Sequence, residues 1–172
     1  MWWNKGNGDI MGKLDEIELK IEKHKPVIFG ILEANIGTDC HTPVIQMEEF
    51  ELERDNLNTS QIRTRAAVYI SCQIDYKRRL DLETSEIPMI WLEIKSKKSK
   101  PWLIMIGYRQ WRTLGKNGGK KSGTMTAQIT RLKLYERAIL NAGKENKEII
   151  ITGDMNIDVT PWTNPSKPLT LY

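Results

Sequence analysis

A chain of 172 residues, 40% hydrophobic and 28% charged, has the length and composition of one globular domain with a real core. No apolar run approaches the ~20 residues that span a bilayer, Met1-Trp2-Trp3-Asn4 leads straight into polar sequence with no secretory leader, and Cys40 and Cys72 fit no metal-ligand or disulfide framework, so an intracellular, reducing setting without a membrane is expected. The balance of 26 Lys and Arg against 22 Asp and Glu gives +4, compatible with a polyanionic partner.

Trp2-Trp3-Asn4, before the Gly6-Asn7-Gly8 turn, reads as the end of a strand. Over residues 11–23, Leu14, Ile17 and Ile21, helped by Leu19, recur at helical spacing opposite Lys and Glu, which predicts an amphipathic helix ended by Lys25-Pro26. Residues 27–32 are a continuous apolar run, the pattern of a strand covered on both faces, and it delivers Glu33 at its end. Residues 34–43, with His41, read as loop, and 44–54 as an exposed, Glu-rich strand. A turn over 55–60 precedes a strand over 65–72, and 74–82 carries Lys77-Arg78-Arg79.

Residues 89–95 and 102–109 predict an antiparallel hairpin around the basic turn 96–101, its second strand ending in Tyr108 and Arg109. Residues 110–124, where Gly115, Gly118, Gly119 and Gly123 alternate with lysines, read as a mobile basic loop. A helix is predicted over 126–141, with Ile129, Leu132, Tyr135, Ile139 and Leu140 on one side, Thr126 as cap and Gly143 as stop.

Ile149-Ile150-Ile151 then reads as a buried strand with an abruptly polar end, Thr152-Gly153-Asp154-Met155-Asn156. Two apart on an extended backbone, Asp154 and Asn156 project to one side, with Met155 and Ile157 turned to the core. A carboxylate is a hard ligand for Mg²⁺, and an amide beside it can hold a phosphate oxygen or an attacking water without adding negative charge. Taken alone, the same residues also suit an Asx turn at a strand end. Glu33 repeats the arrangement of one carboxylate at a strand end. With a proline-rich tail over 160–172, the order of elements makes an α+β or mixed α/β chain.

This order resembles the endonuclease/exonuclease/phosphatase superfamily, and within it the apurinic-like endonuclease domain of non-LTR, LINE-type retrotransposons. The resemblance is carried by Trp3-Asn4, by Lys13-Leu14-Asp15-Glu16-Ile17, by Ile31-Leu32-Glu33, by Gly107-Tyr108-Arg109 and above all by Gly153-Asp154-Met155-Asn156-Ile157-Asp158. It implies a four-layer sandwich, two β-sheets face to face flanked by helices, with the active site at the strand ends. It further implies Glu33 as principal ligand of Mg²⁺, with Mn²⁺ able to substitute, and Asn4 as organiser of metal and phosphate. Tyr108 would contact the scissile phosphate, Asp154 would orient or deprotonate the attacking water, and Asn156 would bind a phosphate oxygen.

The expected activity is Mg²⁺-dependent nicking of DNA in the nucleus, leaving a 3′-hydroxyl for a reverse transcriptase to which the domain was once joined. Arg109, Lys97, Lys98, Lys100, Lys120 and Lys121, together with Lys77-Arg78-Arg79, are expected contacts to the DNA backbone. The family's later aspartate and its Ser-Asp-His segment have no counterpart. His24 and His41 both precede Asp154, and Asp158 is too close to it to be the later aspartate. Residues 1–172 are therefore expected to be one partial domain, incomplete at the C-terminus. The rival readings are a catalytically dead remnant that binds nucleic acid and a phosphatase of the same fold.

Overall fold

The computed structural model describes residues 11–37, 45–55, 63–96, 99–109, 112–114, 120–122 and 125–156. Helix α1 (Met11–His24) leads into strand β1 (Ile28–Gly37), one edge of an antiparallel sheet with β3 (Arg63–Ser71) in the middle and β2 (Phe50–Arg54) beyond it. A second sheet has the order β4 (Tyr76–Arg78), β5 (Met89–Ile94), β6 (Trp102–Tyr108), β9 (Glu148–Asp154). Its β4, β5 and β6 are antiparallel neighbours, whereas β6 and β9 run parallel, joined by a crossover through helix α2 (Met125–Ala142). Strands β7 (Arg112–Leu114) and β8 (Lys120–Ser122) pair as a separate small hairpin.

Side-chain alternation along the strands builds the layers. Ala66, Val68 and Ile70 of β3 face Ile90 and Leu92 of β5 and Ile104 and Ile106 of β6, filling the space between the sheets. Ala67 and Tyr69 of β3 turn the other way, onto Ile17 of α1. Trp91, Leu103 and Met105, on the outer face of the second sheet, pack on Tyr135, Ala138 and Ala142 of α2. The four layers are helix, sheet, sheet, helix, the mixed α/β sandwich expected. Among the described residues no helix is long and apolar enough to cross a membrane.

Several local expectations change. The 44–54 strand shortens to Phe50–Arg54, because Ile45 and Met47 are drawn into the core under α1. Residues 110–124 contain the β7–β8 pair and are not loop throughout. Thr126 lies inside α2, and the buried face of that helix is Gln128, Tyr135, Ala138 and Ala142, with Ile129 and Leu140 exposed. The alanines explain the choice: small side chains let the helix approach Trp91. Leu19 of α1 is also exposed. β9 is the largest departure. Among the described residues it is an edge strand, with Ile150 40% and Ile151 45% exposed, where three isoleucines predicted a short buried strand.

Lys77-Arg78-Arg79, expected to face a phosphate backbone, is mostly turned inward. Arg78 pairs with Glu53 at 2.6 Å and Glu83 at 2.9 Å. Arg79 is buried against Asp81 (2.6 Å), Glu93 (2.9 Å) and Glu145 (2.5 Å), tying the end of β4 to β5 and to the turn after α2. The guanidinium of Arg79 holds Asp81 below the ordinary carboxylate range, Lys147 and then Arg79 do so for Glu93, and Arg79 with Lys147 brings Glu145 down to about 2. Carboxyls depressed in the folded state stabilise it above their unfolded pKa of about 4, and that contribution is lost as pH falls through the folded values. Thermal stability is therefore expected to fall steeply between about pH 4 and pH 2. Arg79→Met should cost about 2–3 kcal/mol at pH 7, below the value for a fully buried pair because Asp81 is mostly exposed, and should flatten that acid limb. Melting temperatures of both proteins from pH 2 to pH 7 check this; parallel curves would refute it.

Candidate functional site

One end of the sandwich gathers the chemistry, and a bulge in β1 makes it possible. Leu32 pairs with Ala66 and Ile36 with Thr64, so Glu33, Ala34 and Asn35 together oppose the single residue Arg65. Glu33 and Asn35 have positive φ (54° and 52°), and the alternation of β1 reverses across them. Before the bulge Ile28 and Leu32 face the second sheet and Phe29 and Ile31 face α1; after it Ala34 and Ile36 face α1. Continued without a bulge, the strand would turn Glu33 towards α1. With it, Glu33 is aimed between the sheets, where Oε1 accepts a hydrogen bond from the hydroxyl of Tyr108 at the end of β6. Glu33 is thus a mid-strand bulge residue, not a strand end.

Tyr108 is Asp154's register partner across the parallel β6–β9 pair, so both carboxylates flank one phenol. Burial, then Glu33, and to a smaller extent Asp154, push the Tyr108 phenol well above its ordinary range, against a lowering influence of Arg65. Its hydroxyl stays protonated at neutral pH and remains a donor. Gly153, at φ 143°, lies against the backbone of Gly107, an approach that a Cβ would block by colliding with the Gly107 carbonyl oxygen.

Beyond Asp154 the chain turns. Asp154 Oδ1 accepts the Asn156 backbone N–H at 2.8 Å, Asn156 has φ 48°, and its side-chain amide donates to the Arg109 carbonyl at 2.7 Å. The strand end and the Asx turn read from the sequence coexist. Met155 packs on the core under α2, as its parity required.

Arg109 departs from expectation. It is wholly buried and serves as the clamp of this turn: its backbone N–H donates to the Asp154 carbonyl at 2.8 Å, its guanidinium donates to the Met155 and Asn156 carbonyls, and Nη1 reaches Gln128 of α2 at 3.0 Å. A side chain so enclosed has no face left for a DNA backbone. Lys100 is exposed in the turn before β6, and with ~3.3 Å per residue that turn lies some 20 Å along the strand from Tyr108, at the opposite end of the sheet. Lys120 and Lys121 belong to β8, in the hairpin that follows Arg109. Asn4, Lys97 and Lys98 lie outside the described residues, as do His41 and Asp158. Arg65, Asn35 and Gln128 were not singled out in the sequence; a strand-initial arginine and an asparagine two after a glutamate carry no local signal of a shared site.

Among the described residues no group of three or more His, Cys, Asp or Glu converges as a metal cage. Exposed Glu33 with Asp154 beyond Tyr108 suits a leaner mode, in which Mg²⁺ takes one or two carboxylates and completes its shell with water and substrate phosphate.

No family model matches the sequence, and no curated protein sequence matches it significantly. Solved structures do share its fold. The endonuclease domain of TRAS1, a telomere-specific non-LTR retrotransposon, superposes with a TM-score of 0.59 at 14% identity, over 87% of this chain and 55% of that domain. ANGEL2, a 2′,3′-cyclic phosphatase, gives 0.56 at 11% identity, over 88% of this chain and 46% of that one. The chain spans about half the length of each and shares their fold, a mixed α/β sandwich of two sheets.

Proposed function

We propose that the chain carries the metal-binding half of a phosphodiester hydrolase that nicks DNA, of the non-LTR retrotransposon kind. The observation that carries this reading is the convergence of Glu33, Tyr108 and Asp154 at one end of a sandwich whose fold is that of nucleases and phosphatases. Glu33 would hold Mg²⁺ or Mn²⁺, which when bound offers positive charge to a phosphoryl oxygen. The protein's own residues supply the rest. Tyr108, protonated, would turn its one hydroxyl hydrogen from Glu33 to a nonbridging phosphate oxygen as negative charge gathers there. Asp154, fixed by the clamp of Arg109 and Asn156, aligns the attacking water and takes its proton. One N–H of the Asn156 amide donates to the Arg109 carbonyl, which orients the side chain and leaves its second N–H for a phosphate oxygen and its oxygen for the water.

The β7–β8 hairpin, with Lys120 and Lys121 in β8, follows shortly after Arg109 in the chain, and these two lysines would be the contacts to a duplex backbone. Lys100 belongs to the far end and is not part of this reading. The test is conversion of supercoiled plasmid to nicked circle by the folded chain with Mg²⁺, and again with excess chelator. Metal-dependent nicks ending in a 3′-hydroxyl are expected. Absence of nicking with retained DNA affinity would replace the reading by a binding remnant. Release of phosphate from terminal or 2′,3′-cyclic phosphates, with intact plasmid, would replace it by a phosphatase.

A further inference from the structure

Arg65 stands apart from the arginines of β4. Arg78 and Arg79 each meet two or three carboxylates, whereas Arg65, half-buried on β3, has no ion pair among the described residues. Asp55, an acidic neighbour, accepts backbone N–H groups through Oδ2, from Arg65 at 2.7 Å and Ala66 at 2.5 Å. The guanidinium is nevertheless held in place. Nη1 donates to Oδ1 of Asn35, and Asn35 in turn donates from its amide to the Glu33 carbonyl at 2.9 Å. Nε is buried with no acceptor among the described residues. A buried N–H left without an acceptor costs about 1–3 kcal/mol, and such groups in a folded protein call for an explanation.

Location supplies one. Arg65 is the single β3 residue opposite the Glu33–Asn35 bulge, and its charge reaches the Tyr108 hydroxyl. A fixed guanidinium with no ion pair among the described residues, at the rim of a site that already holds a carboxylate and a phenol, matches the planar pairing of arginine with two oxygens of an anion. We propose that Arg65 is the phosphate-binding residue of this site, its guanidinium taking a nonbridging oxygen of the substrate's phosphate while Asn35 sets its orientation. The assignment deepens the phosphodiesterase reading and rests on it for the identity of the substrate, though not for the anion.

Two measurements test it. In the wild-type chain, phenylglyoxal labelling followed by peptide mass spectrometry should modify Arg65, and millimolar inorganic phosphate should protect it; labelling that phosphate leaves unchanged, or a site that never labels, would overturn the proposal. Binding of a short duplex with chelator present, so that nothing is cut, should weaken about 10-fold in Arg65→Gln, with the slope of log affinity against log salt reduced by about one. Arg65→Lys, which keeps the charge but loses the fork, should restore the slope and leave kcat low with KM near wild type. An unchanged slope in a folded Arg65→Gln protein would also overturn it. Phosphate protection in a chain that never nicks DNA would sink the nuclease reading and leave the anion site standing. Normal nicking by Arg65→Gln would sink the anion site alone.

Discussion

Asp154→Asn is expected to lower the nicking rate about 10³-fold, ~4 kcal/mol of transition-state stabilisation, with the melting temperature within about 3 °C of wild type. The separation of the two effects follows from the contacts of Asp154. The structural duty of its side chain is to accept the Asn156 N–H through Oδ1, which an asparagine oxygen can also do. What the amide cannot do is take a proton from water. Glu33→Gln should cost a similar factor and show a different signature: a higher Mg²⁺ or Mn²⁺ concentration for half-maximal rate, because a neutral amide is the poorer ligand. Its hydrogen bond from Tyr108 can be retained, and Glu33 is exposed, so folding should be unaffected. Plasmid nicking against metal concentration, with thermal melts alongside, decides the matter. Wild-type rates in either variant would exclude that carboxylate from the site.

Gly153→Ala should be among the most damaging single substitutions for folding, at more than about 3 kcal/mol. Two costs add: a φ of 143° that an L side chain rarely adopts, and a Cβ driven into the Gly107 carbonyl across the β6–β9 ladder. Backbone on both sides leaves nothing flexible to yield. The opposite glycine makes the control. A Cβ at Gly107 would meet side-chain atoms, Met155 Cε at 2.9 Å and Tyr135 Cε1 at 3.0 Å; Met155 can move, so Gly107→Ala should cost about 1–2 kcal/mol. At about 2–4 °C per kcal/mol for a chain of this size, melting temperature should rank wild type, Gly107→Ala, Gly153→Ala, with a wide second gap. Equal losses in the two variants would mean that β9 does not lie against β6 as described. Because Asp154 follows Gly153, the variant should lose nicking too.

Most of the elements were legible locally. The apolar stripe of Ile17 and Ile21, the β5–β6 hairpin after Pro88 and the small-residue start of β3 are patterns of period 3.6 or 2 that a few neighbours determine. The pairing of Glu33 with Asp154 as strand-borne carboxylates could be suspected for the same reason. Other features turned on neighbours distant in sequence. The run of Ile149, Ile150 and Ile151 marks a strand, but whether its two faces are covered depends on what lies beyond the edge, which the residues themselves do not state. Basic residues look alike in a sequence: Arg79 in a carboxylate cluster, Arg109 buried as a clamp, Lys100 at the far end and Arg65 beside Glu33 differ only in partners that the fold brings in.

What the sequence by itself determined is most of the strands and helices, their order, and the residue types able to do phosphate chemistry, because hydrophobic period and turn chemistry are short-range. Only the tertiary structure decided which of those residues meet. The bulge at Glu33–Asn35 turns a carboxylate from the helix side of its sheet to the space between the sheets, the parallel register sets Asp154 beside Tyr108, and the contact of Gly107 with Gly153 lets that register close. Each of these depends on backbone meeting backbone across a sheet or between sheets, an interaction between residues tens of positions apart that no local pattern encodes.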